Sequence, residues 1–360
     1  MSDTFKIHIY DPLPSGKNRL RELVGKNRLA SFFKLPWFSF TDTPKEADFR
    51  LLPFPVDPLF RALGPDATRT FLFSLPDFRQ TPERWILFFY DDQNLPLGVS
   101  AIIFRLTHDH HGRDPNSITI PALVQDPGDR PPPLTFKYHV SFTGSLVSHF
   151  CRLQMLAPFL KKHELNHLGQ LLPTIERLHH LRSQPDKYRL LYSVLKKELA
   201  TIFPRRAERK GIVYYFNTTP DYFGHLPPEE RPQLTRQQEM VMEQSLMIFC
   251  PRGRGSYSGR FFETLAAGRI PILIADNYIL PLEWLIDWKQ FILRLPQDHL
   301  LESHLQLANF FHHEQNDLVK RCLTIRQIWQ EYLAPNRFAR FLHLALSQVI
   351  HSDFNLNRHH

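Results

Sequence analysis

The segment from residue 245 to residue 276, SLMIFCPRGRGSYSGRFFETLAAGRIPILIAD, constrains the fold more than any other part of the chain. Two apolar runs, SLMIF and PILIA, are separated by a loop with three glycines and by an amphipathic stretch. Continuous apolar runs of this length are typical of strands that are buried on both faces of a sheet. Two such strands joined by a helix form a parallel pair. The segment therefore predicts an α/β protein.

The loop at 251–259 and the helix predicted after it have the features of an anion site. Glycine lets a backbone approach a ligand closely. Ser258 suits the N-cap of a helix over 259–267, and Gly268 suits the position just beyond its end. The N–H groups at the start of a helix have no partner within the helix and attract negative charge. We therefore expect this loop to hold an anion.

Two charged residues on the predicted helix sharpen that expectation. Arg260 and Glu263 are three positions apart and share a helix face. Arginine donates two parallel hydrogen bonds to phosphate, and a carboxylate can accept hydrogen bonds from the hydroxyls of a ribose. A diphosphate beside a ribose is a nucleotide. The alternative is that the arginines of the loop are solvated surface charges and that Glu263 only pairs with Arg260.

Short apolar runs occur on both sides of a segment, 112–134, that is rich in Pro, Gly and Asp and is typical of a linker. Strands are predicted at 6–10, 47–55, 85–90, 100–106, 138–142, 211–216, 245–249, 271–275 and 291–295, and further helices at 147–160, near 186–200 and at 235–244. This order predicts two facing Rossmann-like domains with a cleft between them. Their predicted bounds are 1–134 and 135–340, followed by a C-terminal helix and tail at 341–360.

In open α/β sheets, ligands bind beyond the carboxyl ends of the strands. Polar residues and glycines stand at several of these predicted ends. They are Asp11, Asp91, Asp92, Gly144, Ser145 and the loop at 251–259. The sequence therefore predicts that these positions line the cleft.

The chain of 360 residues is basic, with 44 Lys and Arg against 36 Asp and Glu and a formal net charge of +8. A basic balance is compatible with nucleic acid, an anionic membrane surface or phosphorylated small molecules as partners. The charges are spread along the chain and form no long basic tail, so we expect no nucleic-acid partner.

Three cysteines, Cys151, Cys250 and Cys322, lie far apart and form no C-x-x-C pair. This pattern is not typical of a disulfide framework or a zinc site and favours a reducing compartment. No apolar run approaches the roughly 18 residues that a membrane span needs. We therefore expect a cytoplasmic protein whose basic surface is compatible with peripheral contact with an anionic membrane.

The region from 245 to 291 also carries an extended pattern, S-x-x-x-F-C-x-R-G, then R-x-x-E-x-L-x-x-G-x-I-P-x-x-I, then L-P and D-W-x-x-F. In order and spacing it resembles the signature region of the exostosin family of glycosyltransferases. Weaker similarity occurs in FKIHIYDPLP, TPKEADFRLLPF, WILFFYDD and FTGSL. The resemblance covers most of the chain and is strong only in the C-terminal half.

The resemblance implies a GT-B fold and an inverting transfer of a sugar from a nucleotide-sugar donor, a UDP-sugar, to a glycan or other hydroxyl acceptor, as in polysaccharide biosynthesis. It places the donor on the C-terminal domain and the acceptor side on the N-terminal domain. By the same resemblance, Arg260 binds the diphosphate, Glu263 binds the ribose, and Arg252 and Arg254 form the basic part of the loop. Ser258, Gly144 and Ser145 complete the expected donor-binding set.

Animal and plant members of the family usually carry a membrane anchor, and this sequence shows no such segment. That difference favours a bacterial or viral cytoplasmic member. No cofactor and no metal ion are expected, because the cations of the loop could stabilise the leaving nucleotide and no D-x-D motif occurs.

Inverting transfer needs a base that takes the proton from the acceptor hydroxyl. Asp91 and Asp92, after the WILFFY run, are the first candidates, and Asp11, after KIHIY, is the next. Aspartates at strand ends are also common as turn residues, so a purely structural role remains an alternative.

Two other functions stay open. A non-catalytic, glycan-binding member is one, because Tyr90-Asp91 replaces the family's His-Asp pair. A dinucleotide-dependent oxidoreductase is the other, because Asp276 follows the first glycine of the loop by about twenty residues. The glycine spacing, however, is GxGxxxG and not the GxGxxG of that class.

Some remaining residues suggest ligand sites less strongly. His108, His110 and His111 could bind a metal ion, but such clusters are more often solvated. Trp284 and Trp288 have helical spacing and are expected in the core. Tyr278 could line the pocket of the nucleotide base.

Overall fold

A computed structural model describes residues 4–13, 22, 29–110, 114–128, 135–146, 149–180, 187, 191, 195, 198–199, 202, 205–219, 229, 231–314 and 317–356. Within these residues the chain forms two six-stranded sheets flanked by helices. The predicted α/β class, with two Rossmann-like layers consistent with a GT-B fold, is confirmed. The helix predicted near 186–200 lies almost wholly outside the described residues.

The first sheet has the strand order β2-β1-β3-β4-β5-β6, and all its pairs are parallel. Its strands are β1 (Phe5–Ile9), β2 (Phe38–Phe40), β3 (Phe49–Leu51), β4 (Trp85–Phe89), β5 (Ile102–Arg105) and β6 (Ser117–Thr119). The helices α1 (Asp57–Leu63) and α2 (Pro65–Phe73) follow β3. β4 is buried at every position, as its continuous apolar sequence predicts.

The second sheet has the order β12-β11-β10-β7-β9-β8 and is parallel except for its edge strand β8. Its strands are β7 (Tyr138–Ser145), β8 (Arg206–Arg209), β9 (Ile212–Thr219), β10 (Ser245–Pro251), β11 (Ile270–Ile274) and β12 (Leu293–Arg294). Its helices are α3 (Cys151–Leu156), α4 (Lys162–His180), α5 (Arg231–Glu243), α6 (Gly259–Ala266), α7 (Ser303–Glu314) and α8 (Leu318–Ile328). The final helix is α9 (Phe338–Leu356).

Short 3₁₀ segments and one π turn complete the described structure. The 3₁₀ segments are Leu29–Phe32, Pro44–Glu46, Pro82–Arg84, Ala157–Phe159, Trp288–Gln290, Gln297–Glu302 and Pro335–Arg337, and the π turn is Trp329–Leu333. None of the described helices is long and apolar enough to cross a bilayer.

Two predictions of local structure were wrong. The segment 112–134 is not entirely a linker, because residues 117–119 form the edge strand β6 beside β5. The helix predicted at 147–160 is shorter. It gives way to a 3₁₀ turn at Ala157, since Pro158 lacks the N–H that an α-helix needs. The long helix α4 was not predicted.

The apolar core joins the two sheets. One cluster of buried side chains contains residues of both, including Phe88 and Phe104 from the first and Val140 and Phe249 from the second. A smaller cluster, which includes Trp85, covers the other face of the first sheet. The two halves of the chain therefore share buried surface and do not simply hang from a linker.

The last helix, α9, returns to the first sheet. The Phe338 ring lies 4.9 Å from that of Phe32, and the His343 ring lies 4.9 Å from Phe5 and 5.0 Å from Trp37, centroid to centroid. The chain therefore crosses from the second half back to the first at its end.

Candidate functional site

The strand, loop and helix predicted around residue 255 form as expected. β10 is buried along its whole length, and α6 begins at Gly259 and packs Phe261, Phe262 and Leu265 into the core. Gly268 has φ of +61°, which is the left-handed position predicted after the helix. Ser258 occupies the N-cap position with extended backbone, but its hydroxyl makes no capping hydrogen bond.

Arg260 and Glu263 pair with each other on the first turns of α6. Arg260 Nη1 lies 2.7 Å from Glu263 Oε2, and the two side chains are 15% and 42% exposed. The shared helix face is therefore confirmed, and so is the pairing that the alternative interpretation required. A guanidinium carries five N–H donors, so this one contact does not exhaust its capacity to bind a phosphate.

The Arg252 side chain donates hydrogen bonds to two carbonyls of its own loop. Its Nε donates to the Gly255 carbonyl at 3.0 Å, and its Nη2 donates to the Arg254 carbonyl at 3.2 Å. The guanidinium thus closes a turn over the glycines. We expect this contact to fix the direction of the backbone N–H groups between Arg252 and α6.

Arg254 reaches across to the first half of the chain. Its Nε and Nη2 lie 3.3 and 3.5 Å from the carboxylate of Asp92, in the segment after β4. A Cβ on Gly255 would come within 1.5 Å of the Asp92 carbonyl oxygen. The interpretation that this glycine gives room to a ligand was therefore wrong in this structure, because the backbone of Asp92 occupies that room.

Asp91 is a buried, ion-paired carboxylate. Its oxygens accept hydrogen bonds from Arg61 Nε at 2.9 Å and from the Gln93 amide at 2.9 Å. Burial alone would raise the pKa of Asp91, but the hydrogen bonds from Arg61 and the Gln93 amide help to outweigh it and lower the pKa below its ordinary value. A low pKa makes this carboxylate a poor acceptor of protons.

Asp92 and Asp11 have more open environments. The Asp92 side chain is 35% exposed, beside Arg254. Asp11 is exposed after β1 and accepts a hydrogen bond from the Leu13 amide at 3.1 Å, within its own turn. Of the three aspartates, the structure brings Asp92 into contact with the glycine-rich loop.

Gly144 and Ser145 are the last residues of β7, so the strand is longer than the predicted 138–142. Gly144 has φ of +153°, and a Cβ there would lie 3.3 Å from Phe142 and 3.7 Å from Arg152. The hydroxyl of Ser145 is buried and has no hydrogen-bond partner within the described residues. Both residues lie at the carboxyl end of a central strand next to β10, as expected of a ligand-binding edge.

One arginine at this edge was missed. Arg152, in the first turn of α3, donates from Nη1 to the Ser145 carbonyl at 2.8 Å and from Nε to the Arg252 carbonyl at 3.3 Å. It touches both loops that carry the predicted donor-binding residues. Its only sequence signal is its place shortly after the FTGSL motif.

A strap of backbone hydrogen bonds joins the two halves beside this site. The Ile279 amide donates to the His108 carbonyl at 3.0 Å, and the His110 amide donates to the Asn277 carbonyl at 3.1 Å. Tyr278 is fully buried, with its hydroxyl on the Leu106 carbonyl at 3.0 Å. Tyr278 therefore belongs to the junction, and the expectation that it lines a base pocket was wrong.

The remaining candidates are placed as follows. Burial lowers the pKa of His108 to about 4. Within the described residues, no three metal-ligating side chains come together. His111 lies outside the described residues. Trp288 is in the core, but Trp284 is 45% exposed, against expectation. Asp276 accepts a hydrogen bond from the Gln297 amide at 3.0 Å.

Comparison with known proteins shows which proteins the region around this site resembles. Residues 163–310 match the family model of the Exostosin GT47 domain. The chain is 46% identical to Exostosin-1 of Drosophila melanogaster over 52 residues. These aligned residues are 14% of this chain and 7% of that protein. It is 29% identical over 119 residues to the Exostosin-like-3 homolog of Caenorhabditis elegans, an alignment that covers 33% of this chain and 14% of that protein. It is 26% identical over 127 residues to Exostosin-2 of Bos taurus, an alignment that covers 34% of this chain and 17% of that protein.

The aligned part thus spans less than a fifth of the length of these relatives. The family model includes the glycine-rich loop and α6, with the Arg260 and Glu263 pair, and the two sheets are consistent with a GT-B fold. The resemblance seen in the sequence is therefore confirmed over residues 163–310, where the chain is similar to the Exostosin GT47 domain.

Proposed function

We propose that this protein is an inverting glycosyltransferase that moves a sugar from a UDP-sugar to a hydroxyl acceptor on a glycan. The observation that carries the proposal is the Arg260 and Glu263 pair at the start of α6, directly after a buried strand and at the carboxyl edge of its sheet. This is where open α/β sheets bind their ligands. The match to the Exostosin GT47 domain supports the same reaction class.

The departing nucleoside diphosphate gains negative charge as the sugar leaves. Arg260 and the N–H groups at the start of α6 are fixed donors that would stabilise this charge. Glu263 would exchange its contact with Arg260 for the hydroxyls of the ribose, and Arg260 would turn to the diphosphate. We propose that these groups suffice without a metal ion.

The acceptor hydroxyl must lose a proton, and we propose Asp92 as the base. Its carboxylate lies beside Arg254 of the proposed donor loop and is partly exposed. Asp91 is less suited, because it is buried and Arg61 holds it as a structural anion. When a diphosphate draws Arg254 away, the Asp92 carboxylate would lose its ion pair and be free to accept the proton of the acceptor hydroxyl.

Location in the cytoplasm, a role in polysaccharide biosynthesis and peripheral contact with anionic membranes are further parts of the proposal. The three cysteines are buried free thiols, which supports a reducing compartment. The formal net charge of +8 supports contact with anionic surfaces.

The proposed donor site is tested by the melting temperature of the purified protein with a panel of nucleotides and nucleotide sugars. A ligand that binds only the native state raises the melting temperature. We expect a rise with UDP or one UDP-sugar that is lost in Arg260→Ala and kept in Arg79→Ala, a control at an exposed arginine of the first half. Equal rises in the two variants would contradict the site.

A glycan-binding protein without turnover is the second candidate. Both aspartates after β4 pair with arginines, Asp91 with Arg61 and Asp92 with Arg254, and in this candidate neither pair opens to give a base. This candidate requires binding of an oligosaccharide with no melting-temperature response to any nucleotide. Transfer of sugar from a radiolabelled donor would eliminate it.

A further inference from the structure

Arg152 connects two strand ends that the proposed donor site needs at a fixed separation. β7 and β10 are neighbours in the sheet, and their carboxyl ends carry Ser145 and the loop that begins at Arg252. The Arg152 guanidinium lies between these ends and donates to one carbonyl on each side, at 2.8 and 3.3 Å. The Arg152 side chain therefore links the two loops across the gap between the strand ends.

The contacts continue from Arg152 to the tip of the loop. The carbonyl of Arg252 accepts from Arg152, while the Arg252 side chain donates to the carbonyls of Gly255 and Arg254. A shift of the Arg152 side chain would therefore move the residue that closes the loop. The loop between Arg252 and α6 would then lose the side-chain contacts that close it.

The residues around Arg152 leave space for this arrangement. A Cβ at Gly144 would lie 3.7 Å from Arg152 Nη1 and, more tightly, 3.3 Å from Phe142. The hydroxyl of Ser145, which has no partner among the described residues, lies at the same strand end. An unpartnered buried hydroxyl next to a bound guanidinium is what an anion subsite would use when the ligand arrives.

We propose that Arg152 is a positioning residue for the diphosphate of the donor, acting through the carbonyl of Arg252 on the loop 252–258. This inference rests on the proposed function. The role depends on the planar fork of arginine, because two donors on one rigid group hold two carbonyls at once. Lysine keeps the charge, but its single ammonium on a flexible stem does not reproduce that geometry.

The test compares Arg152→Ala and Arg152→Lys with the wild type and with Arg79→Lys as a control, by calorimetric titration with UDP and with uridine. We expect both Arg152 variants to raise the Kd for UDP at least about tenfold, which corresponds to a lost charge-assisted hydrogen bond. The Kd for uridine should stay within about twofold, because uridine lacks the diphosphate.

Three results would overturn the inference. Wild-type affinity for UDP in Arg152→Lys would show that charge alone matters, and unchanged affinity in Arg152→Ala would show that the residue has no role. An equal loss of UDP and uridine binding would show general damage. If the wild type itself bound no UDP, the proposed function would fail first, and the inference with it.

Hydrogen exchange of the unliganded protein adds a second readout that does not depend on UDP. We expect faster exchange of the amides of 252–258 in both Arg152 variants, with unchanged exchange in β4 and β5 of the first sheet. Unchanged exchange in the loop would contradict the positioning role even if UDP binding fell. Faster exchange in both sheets would indicate partial unfolding and would also count against it.

Discussion

At the scale of single residues, the adjacent carboxylates of Asp91 and Asp92 have different hydrogen-bond partners and different exposure. Asp91 turns inward to Arg61 and the Gln93 amide, and its pKa is lowered. Asp92 turns outward to Arg254 of the other half. The first position stabilises the segment after β4, and the second faces the glycine-rich loop.

Exchange of each aspartate for asparagine should separate the two roles. We expect Asp92→Asn to lose sugar transfer by about 100-fold or more, the range of general-base catalysis, while it folds normally and still binds UDP. Asp91→Asn should lower the free energy of unfolding by about 1–3 kcal/mol, because the hydrogen bond from Arg61 loses its charged acceptor. Transfer rates, UDP titration and urea unfolding measure the three quantities. Full transfer activity in Asp92→Asn would exclude it as the base.

Residue pairs at short spacing could be predicted from the sequence, and pairs across the fold could not. Arg260 and Glu263 are one helical turn apart, so their shared face follows from helix geometry. The contact between Arg254 and Asp92 joins positions 162 residues apart. It depends on how two sheets pack, which a local pattern does not contain. The same is true of Arg152, whose partners are strand-end carbonyls.

At the scale of elements, the loop before α6 packs closely against the segment that follows β4. Gly255 and the Asp92 carbonyl are so close that any side chain would collide with the backbone. Gly253, two residues earlier, has ordinary space, with its nearest neighbour at 3.7 Å. Close packing therefore requires glycine at position 255, whereas it does not require glycine at position 253.

We expect Gly255→Ala to push the loop away from the segment after β4 and to lower the free energy of unfolding by about 1–3 kcal/mol, as overpacking does. Gly253→Ala is the matched control and should change it by less than about 1 kcal/mol. Urea unfolding of both variants measures the difference. Equal stability of the two variants would mean that this close contact does not persist in solution.

Elements with a strong local pattern were predictable, and those with a weak one were not. β4, β10 and β11 are continuous apolar runs and were found. β6 has three residues inside a stretch full of Pro, Gly and Asp, so its composition hid it. Its pairing comes from β5 beside it, since an edge strand gains its hydrogen bonds from a neighbour and not from its own sequence.

At the scale of the whole molecule, the strap at 106–110 and 277–279 ties the two halves beside the cleft. His108 lies in this strap, and burial lowers its pKa from 6.5 to about 4. It is therefore neutral in the folded protein at neutral pH. In the unfolded chain it takes up a proton near its ordinary pKa.

This difference predicts a loss of stability in mild acid. Between the unfolded pKa of 6.5 and the folded pKa of about 4, the unfolded state binds more protons, so the free energy of unfolding falls as pH falls. One such group contributes a slope of up to about 1.4 kcal/mol per pH unit. His108→Gln should flatten the slope between about pH 6.5 and pH 5, and His110→Gln, at an exposed position, should not. Urea unfolding at several pH values gives both slopes, and identical slopes in wild type and His108→Gln would refute the assignment.

The return of α9 to the first sheet has a consequence for attempts to split the protein. Phe5, Phe32 and Trp37 are covered by a helix that follows the whole second sheet in the sequence. A fragment that ends at the linker would lack this cover and expose an aromatic surface prone to aggregation. The first half is thus discontinuous in the sequence, and its independent expression requires residues 338–356 to be fused back or supplied as a separate peptide.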